Sequence, residues 1–382
     1  MRIVAKYLKS WFARFETVGV RRLDPWLWVP AAVLLMLGLM MVLDTTYFLG
    51  LERAGDPFHF FKLHLMHIAA GLVALALLSQ LSLFGLRRIV LPLAIFSALL
   101  LIGLYVPGLG VVRGGARRWL HLGPVVLEPS EFIKMALVFF LADFLGRRVD
   151  RMKSFARGAL PAFVIVAPVA LLVLKQPDFG NAVMIALALF AMLFAAGASL
   201  KQLGVAGAGA LGVLVMQAVA KSYRVKRLTT FLDPWQTARG AGFQLTQSFI
   251  ALGEGGKWGV GLGVGRQKMF YLPAAHTDFV FAVVGEDFGL VGAAVVVGLF
   301  LVILFRGMRI AHDEPDPFAS LLAVGLTSLL SLQALVNMAV VIGMIPTKGL
   351  PLPFLSYGGT AIVISMATLG ALLALGRRPA VR

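Results

Sequence analysis

The hydrophobic positions of this chain fall in long runs, not in the short alternations of a half-buried strand or the one-sided stripes of a soluble helix. Runs able to cross a bilayer need about 20 residues, or fewer where neighbouring helices give cover. They lie near Leu27–Leu43, Leu63–Ser79, Ile89–Val106, Phe132–Leu145, Ala159–Leu174, Ala182–Ala196, Leu203–Ala220, Phe279–Phe305, Phe318–Ile345 and Phe354–Leu375. The pattern predicts an all-α polytopic membrane protein of about ten transmembrane helices, with a long loop, 221–277, between the seventh and the eighth. The fourth and sixth runs are short, so periodicity alone also fits eight or nine spans. Ahead of the first run, Ile3, Val4, Tyr7, Leu8, Trp11, Phe12 and Phe15 recur at helical spacing opposite Lys6, Lys9 and Arg14. Residues 1–22 thus read as an amphipathic helix lying on the membrane, and 1–382 as a single membrane domain.

Composition agrees: 59% hydrophobic and 14% charged residues, with a mean hydropathy of +0.89, is more apolar surface than one soluble core of this size hides. There is no cysteine, which removes disulfides and thiolate metal or redox sites. The net charge of +17 fits cytoplasmic flanks and anionic lipid headgroups better than nucleic acid, which is not expected as a partner. Threading ten spans puts Arg21 and Arg22, Arg87 and Arg88, the cluster Arg147, Arg148, Arg151, Lys153 and Arg157, and the tail Arg377, Arg378 and Arg382 on one side. That side is cytoplasmic by the positive-inside rule.

The same threading leaves cations outside. The long loop holds Lys221, Arg224, Lys226, Arg227, Arg239, Lys257, Arg266 and Lys268 against only Asp233 and Glu254. The loop from Pro107 to Glu131 adds Arg113, Arg117 and Arg118, and Lys348 lies in the last outer turn. Long loops translocate whatever their charge; the sharper reading is an anionic ligand on the outer face, held by guanidinium and ammonium groups. The glycines of "GVGLGVGR", 259–266, match neither a dinucleotide fingerprint nor a P-loop. With the preceding "FQLTQSFIALGEGG" they read as a short amphipathic stretch followed by tight turns. The histidines are scattered without zinc spacing, and His64 and His67 read as structural.

Three carboxylates mark the eighth run. Asp278 stands at its start, where a capping acid alone is a sufficient explanation. Glu286 and Asp287 lie two turns further in, where an ionised side chain costs about 2.5–3.5 kcal/mol unless it meets a polar cavity or a partner. Being adjacent, they point about 100° apart, so the expectation is a helix bordering a hydrated interior with Asp278 at its mouth.

Five stretches, "ARRWLHLGPVVLEPSEFIKMA", "KQPDFGNAV", "FLDPWQTARGAGFQLTQSFIALGEGG", "FYLPAAHTDFVFAVVGEDFG" and "GMIPTKGLPLPFLSYGGT", together resemble the SEDS family of shape, elongation, division and sporulation proteins. They occur in the family's order, cover nearly all of the chain beyond the first span, and look more like its cell-division branch than its elongation branch. The resemblance implies a peptidoglycan glycosyltransferase of the bacterial inner membrane, at the division septum, with its active site facing the periplasm. Its substrate would be lipid II, an undecaprenyl-pyrophosphate-linked disaccharide pentapeptide, polymerised with inversion and loss of the lipid pyrophosphate. Implied partners are a class B penicillin-binding protein, other division-complex membrane proteins and membrane lipids.

The resemblance assigns catalysis to Asp278, as a base for the attacking sugar hydroxyl, an effect worth roughly 100- to 10,000-fold. Arg117, Arg118, Lys134 and Lys348 match basic positions that would stabilise the pyrophosphate, and His276, Thr277 and Glu286 join them as substrate-binding candidates. For Lys134 a structural pair with Glu131, three residues away, competes; Asp178 fits a helix cap equally well. Holding a divalent cation, Mg or Mn, and orienting the acceptor hydroxyl are the other roles open to Asp278; no other cofactor is implied. Family members often carry glutamate where this chain has Ala274, and a serine pair where it has Thr360-Ala361. A lipid II flippase, a scaffold for the transpeptidase and an elongation-type polymerase are the competing functions.

Overall fold

The computed structural model describes residues 23–113, 116–123, 125–219, 230–240 and 242–377. The amphipathic segment 1–22, the stretch 220–229 of the long loop and the last residues of the basic tail lie outside the described residues. Each predicted apolar run corresponds to a helix. These are α1 Pro25–Ala54, α2 His59–Ser79, α3 Leu83–Gly103, α4 Pro129–Gly146, α5 Leu160–Lys175, α6 Phe179–Ala195, α7 Leu200–Val219, α9 Val280–Asp313, α10 Pro317–Val341 and α11 Gly359–Gly376. Helix α8, Phe243–Gly255, is the amphipathic stretch of the long loop. Among the described residues seven helices are long and apolar enough to cross a membrane, and α6 is a shorter apolar one. The chain is a multi-pass membrane protein.

Local chemistry sets the helix ends. Asp24 caps α1 by accepting from the Trp26 N–H, Pro25 occupies its first turn, and Gly55 closes it in the left-handed region at φ 68°. Asp316 caps α10 in the same way through Ala319, and Asp178 caps α6 through Asn181. At the predicted cytoplasmic end, Arg87 lies 3.6 Å from Asp143 and 3.3 Å from Asp316, tying α3 to α4 and α10, and Arg306 lies 2.5 Å from Asp24, tying α9 to α1.

Helix α10 is the centre of the bundle. It packs against α4, α6, α9 and α11, and like α11 it is buried over most of its length. Helix α11 lies along α2, α1 along α9, and α3 along α4. Because the helices alternate in direction, α4, α6, α9 and α11 all begin at the same end, the one the charge pattern assigns to the outside.

Two features depart from the sequence reading. The segment expected as plain loop between α3 and α4 contains a three-stranded antiparallel sheet, β1 Gly110–Arg113, β2 Ala116–Leu122 and β3 Val125–Leu127. The strands are too short, and too interrupted by cations, to show a period of two. Helix α9 is also broken: Gly289 sits at φ 65°, ψ −163°, a conformation open essentially to glycine. The glycine-rich turns after α8 fold against the break. Val260 N–H donates to the Glu286 carbonyl at 3.0 Å and Gly261 N–H to that of Asp287 at 3.1 Å. In return, Leu290 and Val291 N–H donate to the Gly256 and Lys257 carbonyls at 2.9 and 3.2 Å. Broken backbone inside a membrane protein survives where protein satisfies the freed groups, and this loop does so.

The loop also corrects the expected hydrated interior beside Glu286 and Asp287. Both are fully buried in protein. Glu286 Oε1 accepts from the Arg266 N–H at 2.7 Å and the Gln267 N–H at 3.2 Å, while Asp287 pairs with Lys268 at 3.1 Å. Partners supplied by the loop offset part of the burial of these acids; Glu286 Oε2 is buried without a hydrogen bond among the described residues.

Candidate active site

The outer starts of α4, α6, α9 and α11 are laced to one another by side chains. Ser356, ahead of α11, donates its hydroxyl to the Thr277 carbonyl at 2.5 Å and accepts the Leu352 N–H at 2.7 Å. The Tyr357 N–H donates to the His276 carbonyl at 2.8 Å. Asn337 of α10 donates to the carbonyls of Asp278, at 2.8 Å, and Leu350, at 2.7 Å. These bonds fix the stretch 276–278 against the loop 348–357. On the other flank, the Glu128 N–H donates to Thr360 Oγ1 at 3.0 Å, joining α4 to α11. Asn181 of α6 donates to Ser130 at 3.1 Å, to Asp178 at 2.8 Å and to Glu128 at 3.4 Å.

Asp278 is half-buried one residue ahead of the α9 N-cap, Phe279. Its carboxylate lies directly on the backbone of Gly349: a Cβ built at that glycine would stand 2.9 Å from Asp278 Oδ2. The glycine is therefore needed for the carboxylate to approach this loop. The neighbouring Lys348 is half-buried, with its Nζ 4.4 Å from the centre of the Phe179 ring at the start of α6. Burial lowers its pKa to about 8, well below the usual lysine range. His276 is pushed down to about 4, by burial first and then by the charge of Arg53 at the end of α1, so its ring is neutral at pH 7. Glu128, ahead of α4, is driven the other way, chiefly by burial and then by the carboxylates of Glu131 and Asp178.

The predicted basic residues divide. Arg118 lies 3.9 Å from Asp178 and donates to the Pro177 carbonyl, which places it on the stretch leading to Phe179. Its neighbour on β2, Arg117, is exposed. Lys134 is buried on Glu131 at 2.6 Å and also donates to Gln333 at 2.9 Å. Gln333 in turn donates to the Pro351 carbonyl at 2.9 Å, so the Lys134 network supports the 348–357 loop from beneath. The structure thus brings Asp278, His276, Thr277 and Lys348 together and sets Arg118 on the adjoining flank. Lys134 lies below them, and Glu286 is held by the α9 loop.

Residues that sequence reasoning passed over complete the site: Asn337, Ser356, Tyr357, Phe179, Asn181 and Arg53. Asn337 and Asn181 are polar residues in apolar runs, the signal that could have marked them. Among the described residues no three His, Asp or Glu side chains are grouped to hold a metal ion. Asp178 and Glu128 are engaged by Arg118 and Asn181.

Taken as chemistry, this end combines a carboxylate, partly desolvated cations and four helix N-termini. Each N-terminus carries a partial positive charge, and those of α4, α9 and α11 have no side-chain cap. The arrangement favours an anion beside a group able to accept a proton.

Comparison with known proteins gives the family. The model of the FtsW, RodA and SpoVE cell cycle proteins matches residues 25–379. The chain is 38% identical over 359 residues to a probable peptidoglycan glycosyltransferase FtsW of Geobacter sulfurreducens, covering 94% of this chain and 96% of the relative. It is also 38% identical over 345 residues to the stage V sporulation protein E of Bacillus subtilis, covering 90% and 94%. Among solved structures it resembles a chain of a peptidoglycan synthase complex that coordinates polymerization and crosslinking, with a TM-score of 0.76 and 31% identity over 93% of this chain and 98% of that one. It also resembles the rod shape determining protein RodA of Thermus thermophilus, with a TM-score of 0.67 and 29% identity over 94% and 98%. The match runs from the first span to the last, through every segment that builds the site: this chain belongs to the FtsW, RodA and SpoVE family of cell cycle proteins.

Proposed function

We propose that the chain is a peptidoglycan glycosyltransferase that polymerises lipid II at the periplasmic face of the bacterial inner membrane, at the division septum. It would work beside a class B penicillin-binding protein that cross-links the product. One observation carries this reading: the Asp278 carboxylate lies on the Gly349 backbone, next to Lys348, where four helices begin.

A pyrophosphate leaving group needs positive charge that is in place before the bond breaks. Helix N-termini, Lys348 and the flanking Arg118 and Arg117 supply it. The attacking sugar hydroxyl must lose a proton as its oxygen bonds to the anomeric carbon and the C–O bond to pyrophosphate breaks, with inversion. Asp278 Oδ2 takes that proton. Neutral His276 contributes hydrogen bonding without adding a competing charge. Fixed backbone on both sides of the carboxylate, through Asn337 and Ser356, holds it at reacting distance without reorganisation. The polar residues below the site, Glu131, Lys134, Gln333, Ser365 and Thr368, line a cavity with room for about one water molecule.

The test is synthesis of glycan strands from purified lipid II by wild-type and Asp278→Asn protein, each with and without the transpeptidase partner. The expected result is polymer from the wild type and a loss of at least about 100-fold in the variant, with partner binding retained. Full polymerisation by Asp278→Asn would overturn the assignment, and lipid II transfer across vesicles without polymer would favour transport.

A further inference from the structure

Lys268 belongs by sequence to the loop cations available to an anionic ligand, yet its side chain is only 2% exposed. Its Nζ lies 2.5 Å from Asp44 Oδ2 in α1, and 3.1 and 3.2 Å from the two carboxylate oxygens of Asp287 in α9. Three segments remote in sequence meet on one ammonium. The preceding residues, Arg266 and Gln267, give their N–H groups to Glu286, so the same turn of chain grips both acids just ahead of the break at Gly289.

We propose that Lys268 is a positioning residue for Asp278: the Asp44–Lys268–Asp287 clamp sets the angle of the half-helix that carries the base. This rests on the reading of Asp278 as that base. The half-helix runs from Val280 to the break at Gly289, the point about which it can tilt. At 1.5 Å per residue Asp278 lies about 16 Å from that pivot and Asp287 about 3 Å. Slack of about 0.5 Å at the clamp therefore becomes roughly 2–3 Å at the carboxylate, and misplacement by about 1 Å can cost 100-fold in rate. Asn337 and Ser356 restrain the far end as well, so loosening the clamp lowers the rate without abolishing it. One cation shared by buried carboxylates from two helices is also a geometry that any neutral replacement of Lys268 leaves unbalanced.

The experiment measures lipid II polymerisation by the full chain with its partner, for Asp44→Asn, Lys268→Met and Lys268→Arg, with Asp278→Asn alongside. Rates are taken per folded protein, using the monodisperse fraction from gel filtration. The expected result is a kcat lowered about 10-fold in Asp44→Asn and about 10- to 100-fold in Lys268→Met. KM for lipid II should stay within about twofold, and Lys268→Arg, which keeps the charge, should recover most of the rate. Were Lys268→Met to yield no folded protein, Asp44→Asn, which leaves Lys268 paired with Asp287, decides. Wild-type kcat in a folded Asp44→Asn or Lys268→Met variant would overturn the clamp, as would a rise in KM alone, which would make Lys268 a substrate contact. An inactive Asp278→Asn beside unaffected clamp variants sinks the clamp only; an active Asp278→Asn sinks the base.

Discussion

Single residues define what this site can do over the pH range. Lys348 releases its proton near pH 8 because burial opposes its charge. Its folded pKa lies below the ordinary lysine value of 10.5, so between about 8 and 10.5 the unfolded chain binds the extra proton. Stability from this group therefore rises, not falls, over that window. Lipid II polymerisation is expected to fall about fivefold in kcat/KM from pH 8 to pH 9, as the charged fraction of Lys348 drops from about one half to about one eleventh, while thermal stability holds. In Lys348→Arg, whose guanidinium stays charged, the decline shifts to higher pH; an unchanged pH profile in that variant would remove Lys348 from substrate binding. Asp278 and Lys348 were legible as residues because each sits in a long motif of the outer loops. Asn337 and Ser356 were not read as holding Asp278, because their contacts join positions 59 and 79 residues apart, which no local pattern encodes. His276 could be named from its motif, but its neutrality could not, since that depends on burial and on Arg53.

At the scale of elements, run length gave the helices and hid their interruptions. The apolar character of α9 continues straight through Gly289, so hydropathy reads one helix where the backbone makes two. The acids at 286 and 287 were the visible symptom, and they were explained by a hydrated interior when the cause is a loop folded onto a break. Replacing Gly289 with alanine tests that cause. The substitution strains a positive-φ residue, and its Cβ would run into Gly259 N and the Lys257 carbonyl. A loss of about 3 kcal/mol or more is expected, read as a lower thermal unfolding midpoint of the purified protein in detergent. Gly298→Ala, whose Cβ would meet nothing within 4 Å, should be close to neutral. Equal behaviour of the two variants would mean that the break is not held by the loop.

For the whole molecule, alternation of direction explains why one end is chemically different from the other. Helices α4, α6, α9 and α11 point their N-termini to the outer end, and α10 stands between them as the common support, reaching the site through Gln333 and Asn337. The charge pattern assigns which end faces outside, and the spacing of apolar runs gave the order of spans. Neither could show that Asp278, Lys348, Phe179 and Glu128 would lie around one mouth, because that depends on which helices α10 gathers. The most direct measurement of the central claim separates binding from chemistry at that mouth: lipid II affinity and single-turnover bond formation, both determined for Asp278→Asn. The account predicts an affinity within about threefold of wild type and bond formation slower by at least about 100-fold. Bond formation at the wild-type rate, or a variant that fails only because it no longer binds lipid II, would contradict it.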